Sequence, residues 1–378
     1  MEGFALKPIV SFPGFDDGDL SLVAPKTRRP MPKSGPLRSP GPPNRMSAFD
    51  LRAIDAKTQT LTQASARADG RTRDLLRSCL LPRGAIATPS ERVLVGCFGE
   101  SVVLVLDPKA DRPTVLATIE TSRGPAALGQ VDEESVLVWS SLAREAALVS
   151  PAAVGNAARI ASTGIARVRE LDPVALRGRE LFHRTGDVRI SEDGLSCASC
   201  HPDGRDDGLV WQSPRGPRRT RTLAGNASRA ATFGWGGEHA TIDAHVTETL
   251  ERLRGKGLPQ EDRDAIYAYL RTMAPVPPAS RPDDPSTHRG AQLFASDRSL
   301  CATCHDPSSG FTDHATHDIR GERVVTPSLL GVGARGTLFH DGRYASLASM
   351  LEGDDGMGGL RRLTADEKRD LAAFLRTL

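Results

Sequence analysis

The chain has 378 residues, 39% hydrophobic and 25% charged, with a formal net charge of +2. That is the composition of water-soluble globular domains, and the length suffices for two or three of them. The longest apolar run, Val102 to Leu106, is far too short to span a bilayer, and six cysteines in this length exclude a small disulfide-held scaffold. The 42 Arg and 7 Lys are dispersed among Asp and Glu. A nucleic-acid binder gathers such charge into a stripe, so no nucleic-acid partner is expected.

Residues 1–30 carry Glu2 early, are interrupted by Pro8 and hold no apolar stretch, so no secretory signal is written there. Six prolines between Pro30 and Pro43 make residues 1–44 an irregular, proline-rich segment. Residues 45–165 read as all-β. Val93-Leu94-Val95-Gly96 and Val102 to Leu106 are split by the turn-prone Phe98-Gly99-Glu100. A second copy follows 43 residues on, in Val136-Leu137-Val138 and Ala146 to Val149. Turns at Arg83-Gly84 and Arg123-Gly124-Pro125 precede the two copies, and Ala53-Ile54-Asp55-Ala56 reads as the tail of an earlier one. The period predicts propeller blades, and the segment resembles bacterial seven-bladed, YncE-like propellers. A plain β-sandwich or meander fits the same strands. Two or three blades are countable where closure needs at least four, so a partial β-propeller is expected, with the chain starting inside it.

The second half predicts two all-α domains, residues 172–274 and 286–378, joined by a proline-rich linker. Arg177-Gly178-x-x-Leu181-Phe182 is repeated as Arg289-Gly290-x-x-Leu293-Phe294. Residues 258–273 align without a gap with 363–378, and Ile266, Tyr269, Leu270 and Met273 recur as Leu371, Phe374, Leu375 and Leu378 on one helical face. Thr364 and Glu367 are spaced as a capping box, and Asp172-Pro173 as an N-cap with an N1 proline.

Cys197-Ala198-Ser199-Cys200-His201 and Cys301-Ala302-Thr303-Cys304-His305 are both C-x-x-C-H, the attachment pattern of haem c. Two thiols one helical turn apart can each bond a haem vinyl group, and the adjacent imidazole then lies beneath the iron as proximal ligand. A zinc ribbon needs its second pair after about 15–20 residues, whereas these lie 104 apart. Two covalently bound haem c groups are expected on Cys197, Cys200, Cys301 and Cys304, with His201 and His305 on the irons.

With these motifs, the Gly-x-x-Leu-Phe helices, Gly310-Phe311-Thr312-Asp313, Thr326-Pro327-Ser328-Leu329 and Phe339-His340-Asp341-Gly342-Arg343, residues 172–378 resemble the di-haem bacterial cytochrome c peroxidase superfamily. That superfamily includes the di-haem enzyme that matures tryptophan tryptophylquinone. Asp203 to Leu209 and Phe233-Gly234-Trp235 are more similar to its propeller-fused branch. The resemblance implies two cytochrome c folds, one haem receiving electrons and the other meeting the oxidant, and calcium between them, for which no ligands can be placed here. It also implies a methionine ligand just before His-Asp-Gly. Phe339 stands there, Gly234 stands at the matching place in the first copy, and neither coordinates iron.

The internal repeat offers substitutes. Trp235 aligns with His340, and ten residues on His245 aligns with Met350, the two usual types of sixth ligand. Either they are the distal ligands of the first and second haems or they pack at a helix edge; His239 and Met357 are rivals, and Met273 is demoted by its match to Leu378. Trp235 matches the family tryptophan between the haems, as an electron relay or as a core residue. The family's catalytic glutamate falls near Gly255, leaving Glu248 or Glu251 to substitute. His317 fits a non-ligand position near the second haem. His314, His183 and His288 read as surface or packing residues, and Cys79 and Cys97 either pair or stay as free thiols.

Three functions follow from these residues. The first is a periplasmic or cell-surface di-haem cytochrome that passes electrons to or from a redox partner protein. The second is a peroxidase-like enzyme reducing hydrogen peroxide at one open iron. The third is a propeller-based binding protein with auxiliary haems.

Overall fold

The computed structural model describes residues 79–107, 114–152, 159–164, 171–213, 215–227, 229–280, 283–353 and 357–378. The proline-rich segment 1–44 and the strand tail at Ala53-Ile54-Asp55-Ala56 lie outside them. The described residues divide into two compact units, the first holding those of 79–172 and 183–187, the second those of 173–182 and 188–378.

The first unit holds two four-stranded antiparallel sheets, each in simple sequential order. One comprises β1 (Pro82–Ala87), β2 (Val93–Cys97), β3 (Val102–Asp107) and β4 (Thr114–Glu120). The other comprises β5 (Pro125–Gln130), β6 (Val136–Ser140), β7 (Glu145–Val149) and β8 (Arg159–Gly164). The 43-residue spacing of the sequence is the spacing of β1 to β5, β2 to β6 and β3 to β7. Even the irregularity repeats: the pairing slips between Pro82 and Gly84 and again between Pro125 and Ala127. Alternation places Ile86, Leu94, Val103, Val105 and Ile119 on one face of the first sheet, where they share a buried cluster with Val136, Val138 and Val149 of the second.

Two sequence readings are revised here. Arg83-Gly84, expected as a turn, lies within β1. Its glycine serves close packing: a Cβ on Gly84 would come within 2.8 Å of the Leu128 side chain, and one on its partner Gly96 within 3.1 Å. Cys79 and Cys97, left undecided between pairing and free thiols, form a disulfide. It closes a loop of about the length for which chain entropy gives roughly 3 kcal/mol of stabilisation. His183 is buried and packs its ring 5.4 Å from Phe98.

The second unit is mainly helical and carries the duplication. Helices α1 (Pro173–His183), α2 (Cys197–Cys200), α3 (Ile242–Arg252) and α4 (Gln260–Thr272) are followed in the same order by α5 (Pro285–Phe294), α6 (Cys301–Cys304), α7 (Leu347–Glu352) and α8 (Ala365–Leu375). Two hairpins, β9 (Val210–Ser213) with β10 (Gly216–Arg219) and β11 (Thr316–Ile319) with β12 (Glu322–Val325), complete it.

Each copy is closed by its first and last long helices, which meet at a glycine. A Cβ on Gly178 would lie 1.8 Å from the Ala265 carbonyl, and one on Gly290 2.0 Å from that of Asp370. The preceding arginine ties the same pair: Arg177 reaches Asp262 at 2.5 Å, and Arg289 forks onto Asp370 at 2.7 and 2.9 Å. The matched core positions behave alike. Ile266 and Leu270 are buried as Leu371 and Leu375 are, and Phe182 meets Tyr269 at 5.5 Å as Phe294 meets Phe374 at 5.3 Å. Thr364 and Glu367 form the expected capping box at the start of α8.

Candidate haem-attachment sites

Each C-x-x-C pair is a single helical turn, α2 or α6, which sets the two thiols three residues apart on one side. The following histidine closes the turn, its N–H donating to the carbonyl of Cys197 or Cys301 at 2.9 Å. Both turns are pinned from the front. Ser196 N–H donates to Ser199 Oγ at 3.0 Å, and Cys301 N–H donates to Ser299 Oγ at 3.3 Å.

The imidazoles are held from behind in the same way. His201 Nδ1 stands 3.3 Å from the Arg205 carbonyl. His305 Nδ1 stands 3.0 Å from the Phe311 carbonyl. A backbone acceptor at Nδ1 fixes the tautomer and leaves Nε2 for a metal. Burial pushes His201 down to about 4 and lowers His305, so both rings are neutral, as ligation requires.

The four cysteines are half-buried free thiols. Desolvation pushes Cys197 up to about 11 and Cys200 up to about 12, and raises Cys301 and Cys304. A redox C-x-x-C or a zinc cluster depends on stabilised thiolate, the opposite condition. Cys304, Asp313 and His317 do lie within 4.8 Å of one another, a spacing that suits a divalent ion. Cys304 cannot serve both as that ligand and as a thioether, and His317 is already hydrogen-bonded to Asp313 at 2.7 Å.

A family model described as di-haem cytochrome c peroxidase matches residues 290–354. The methylamine utilization protein MauG of Methylorubrum extorquens is 28% identical over 283 residues, covering 55% of this chain and 78% of that protein. The chain is thus similar to the di-haem cytochrome c peroxidase superfamily. The similarity supports haem c as cofactor and redox chemistry at haem iron as the class of function. Among solved structures, hydrazine synthase of Kuenenia stuttgartiensis aligns over 56% of this chain and 89% of its own, with 23% identity and a TM-score of 0.46. The diheme peroxidase BthA of Burkholderia thailandensis aligns over 56% and 87%, with 20% identity and a TM-score of 0.43.

The positions matched by the internal repeat show the same duplication. Thr241 caps α3 and Ser346 caps α7, so His245 and Met350 are each the fourth residue of their helix. Gly234 and Phe339 share a left-handed backbone, with φ of +85° and +75°, inside matching bridges of Phe233 to His239 and Leu338 to Tyr344.

His245 Nδ1 is buried without a hydrogen-bond partner. Its ring stacks 6.4 Å from Phe233 and lies 5.3 Å from His239, and burial pushes it down to about 4. His239 is hydrogen-bonded to Glu248, which also accepts from Arg215 at 3.0 Å. Met350 packs on the buried cluster of the second copy, which Cys301, Phe311 and Tyr344 also join. Met273 instead sets its sulfur against Gly204, on the loop that follows His201.

Trp235 is buried and connects the copies. Its Nε1–H donates to the Arg219 carbonyl at 2.7 Å, its ring stands 6.3 Å from that of His340, and its carbonyl accepts from Val325 N–H at 2.8 Å. Guanidinium groups flank the ring, Arg219 at 5.5 Å and Arg221 at 5.0 Å. These arginines do not stand out in the overall composition. The dense run Arg218-Arg219-Thr220-Arg221 was the available signal, but overall dispersal says nothing about which charges become buried.

Asp207 carries a measurable pH signature. Its carboxylate accepts from Trp211 Nε1–H and Leu209 N–H, both at 2.9 Å, yet burial dominates and pushes it up to about 6 from 3.8. A carboxyl raised on folding binds more protons folded than unfolded between those values. Its contribution is therefore present below about pH 4 and is lost as pH rises through 6. The two-unit span corresponds to roughly 2–3 kcal/mol. Asp207→Asn is expected to flatten that part of the stability–pH curve, measured by denaturant unfolding of the haem-loaded protein from pH 4 to 7. An unchanged slope would refute the assignment.

Proposed function

We propose that residues 172–274 and 286–378 are two cytochrome c domains, each holding one haem c. Cys197 and Cys200 with His201 hold the first, and Cys301 and Cys304 with His305 hold the second. The protein passes single electrons between a redox partner protein and a second carrier. When bound, the haems supply an iron that cycles between ferric and ferrous. The observation that carries the reading is the orphaned, buried Nδ1 of His245, at the helix position matched by Met350. A sixth ligand at each iron favours outer-sphere transfer over substrate binding.

The chain's residues act here by holding and excluding. Backbone acceptors at His201 and His305 keep each ring oriented with one nitrogen free. Trp235 spans the two copies, and the two guanidinium groups against it disfavour a positive charge on its ring. It serves as a bridge for tunnelling rather than as a site where charge rests.

The two sheets of the first unit are read as propeller blades, on the strength of their 43-residue repeat, sequential antiparallel order and shared apolar interface. They supply a docking surface for the partner. A periplasmic or cell-surface location follows from covalent haem attachment and agrees with the Cys79–Cys97 disulfide. Among the described residues no helix is long and apolar enough to cross a membrane. We assign no calcium ligands. The cavity lined by Asn226, Thr312, Thr326 and Ser328 also presents Arg221 and Arg229, and none of its lining residues is a carboxylate.

One observation favours a second reading, reduction of hydrogen peroxide at an open first haem. His239 and Glu248 form a hydrogen-bonded pair beside His245. Such a pair can move the proton that peroxide cleavage requires, in place of the glutamate lost at Gly255.

Mass spectrometry and low-temperature electron paramagnetic resonance of the oxidised protein test both readings. Two covalent haems are expected, falling to one in Cys197→Ala/Cys200→Ala and in Cys301→Ala/Cys304→Ala. Two low-spin ferric signals support the electron carrier. A high-spin signal near one haem per chain overturns it in favour of the peroxidase.

A further inference from the structure

We infer that His317 is the proton acceptor for thioether formation at Cys304, so that the second copy carries its own base for covalent haem attachment. The inference rests on the two-haem reading above. Cys304, Asp313 and His317 each offer an atom within 4.8 Å of the other two, and no other such group of histidine, cysteine and carboxylate side chains occurs among the described residues. His317 Nε2 lies 2.7 Å from Asp313 Oδ2. A thiol, a nearby base and a carboxylate that orients the base are the parts that activate a sulfur nucleophile.

One loop places these parts. The Phe311 carbonyl holds the His305 ring at 3.0 Å, and two residues on the Asp313 carboxylate accepts from Ala315 N–H at 2.9 Å as well as from His317. Thr312, between them, is buried and donates its hydroxyl to the Thr326 carbonyl at 2.7 Å. His317 is the second residue of β11, in register with Val324 of β12. With Nε2–H given to the carboxylate, the other ring nitrogen keeps its lone pair.

The duplication separates what the histidine adds from what merely holds the fold. In the first copy the second residue of β9 is Trp211, again four residues after an aspartate, and its Nε1–H donates to Asp207 at 2.9 Å. The matched pair in the second copy is Asp313 with His317. Both side chains tie a hairpin to the loop before it, which an indole does as well as an imidazole. An indole N–H can only donate, whereas a neutral imidazole can also take a proton. The tie is therefore common to both copies, and the proton-accepting role belongs to the second.

An ordinary thiol is largely protonated at neutral pH, and the thiolate is the nucleophile. In the step assigned here the Cys304 S–H bond breaks, sulfur bonds the inner carbon of a haem vinyl group, and the proton passes through His317 to the outer carbon. The vinyl double bond is consumed, and no electron is gained or lost.

The test uses the full chain matured in a bacterial periplasm, with thioethers counted by mass spectrometry of its two C-x-x-C-H peptides. His317→Gln can still hydrogen-bond Asp313 but takes no proton. It should lower the thioether at Cys304 about tenfold or more, leaving a free thiol there, while Cys301 and the first-copy peptide are modified as in the parent. His317→Trp, which reproduces the first-copy pair, should do the same, and Asp313→Asn should give a smaller loss of the same kind. Full thioether at Cys304 in His317→Gln would overturn the inference. So would an equal loss at Cys301, because the histidine would then support the second copy as a whole. Failure of the two-haem reading is seen separately, as a parent second-copy peptide that carries no haem.

Discussion

Gly290→Leu is expected to destroy the second helical copy rather than weaken it. A Cβ at Gly290 would sit 2.0 Å from the Asp370 carbonyl and 2.9 Å from the Phe374 side chain. The first obstacle is helical backbone, so no rotamer change relieves it. α5 and α8 would have to separate, breaking the Arg289–Asp370 fork and opening a cluster in which Leu371 is wholly buried. Overpacking of a closed core costs about 1–3 kcal/mol where side chains can adjust. With backbone opposed to backbone, the loss should exceed ~4 kcal/mol, a large share of a domain's stability. Gly178→Leu should do the same in the first copy, where the clash is with the Ala265 carbonyl at 1.8 Å. Denaturant unfolding and retention of covalent haem are the measurements. A Leu variant as stable as the parent would show that these helices do not cross at glycine.

The second large effect is spectroscopic. His245→Ala should turn one low-spin ferric haem high-spin, and Met350→Ala the other, with the double variant high-spin at both. The expected costs in stability differ. His245 has an orphaned, desolvated nitrogen, so its removal should be nearly neutral. Met350 packs into the second core, and Met350→Ala should cost roughly 2–4 kcal/mol. A low-spin haem that persists in His245→Ala would end the ligand assignment and turn attention to His239, 5.3 Å away. If His245→Ala opens the first iron, peroxide turnover should appear there, and His239→Ala should then reduce it through the lost partner of Glu248.

Some features were legible because they are local. The C-x-x-C-H spacing is a property of one helical turn, so the residues alone placed two thiols and an imidazole together in both copies. The 43-residue strand period and the matched Gly-x-x-Leu-Phe and C-terminal helices are regularities of pattern, and they survive as repeated strands and repeated helix crossings. Gly234 and Phe339 were matched by alignment alone, and both take the left-handed backbone.

Other features depend on residues far apart in the chain meeting in space. Gly84 looked like a turn because a glycine's tolerance of turns is local, whereas its need to clear Leu128 is set by a second sheet. Whether Cys79 and Cys97 pair depends on where β2 brings Cys97, which no spacing rule supplies. The arginines show the difference most sharply. The sequence determined that cations are many and dispersed; the tertiary structure decided that Arg219 and Arg221 both come to the Trp235 ring, with Asp206 paired to Arg219. Periodicity and covalent spacing are written along the chain, but desolvation and charge balance arise only once distant segments pack, because the cost of a buried charge is set by its neighbours in space.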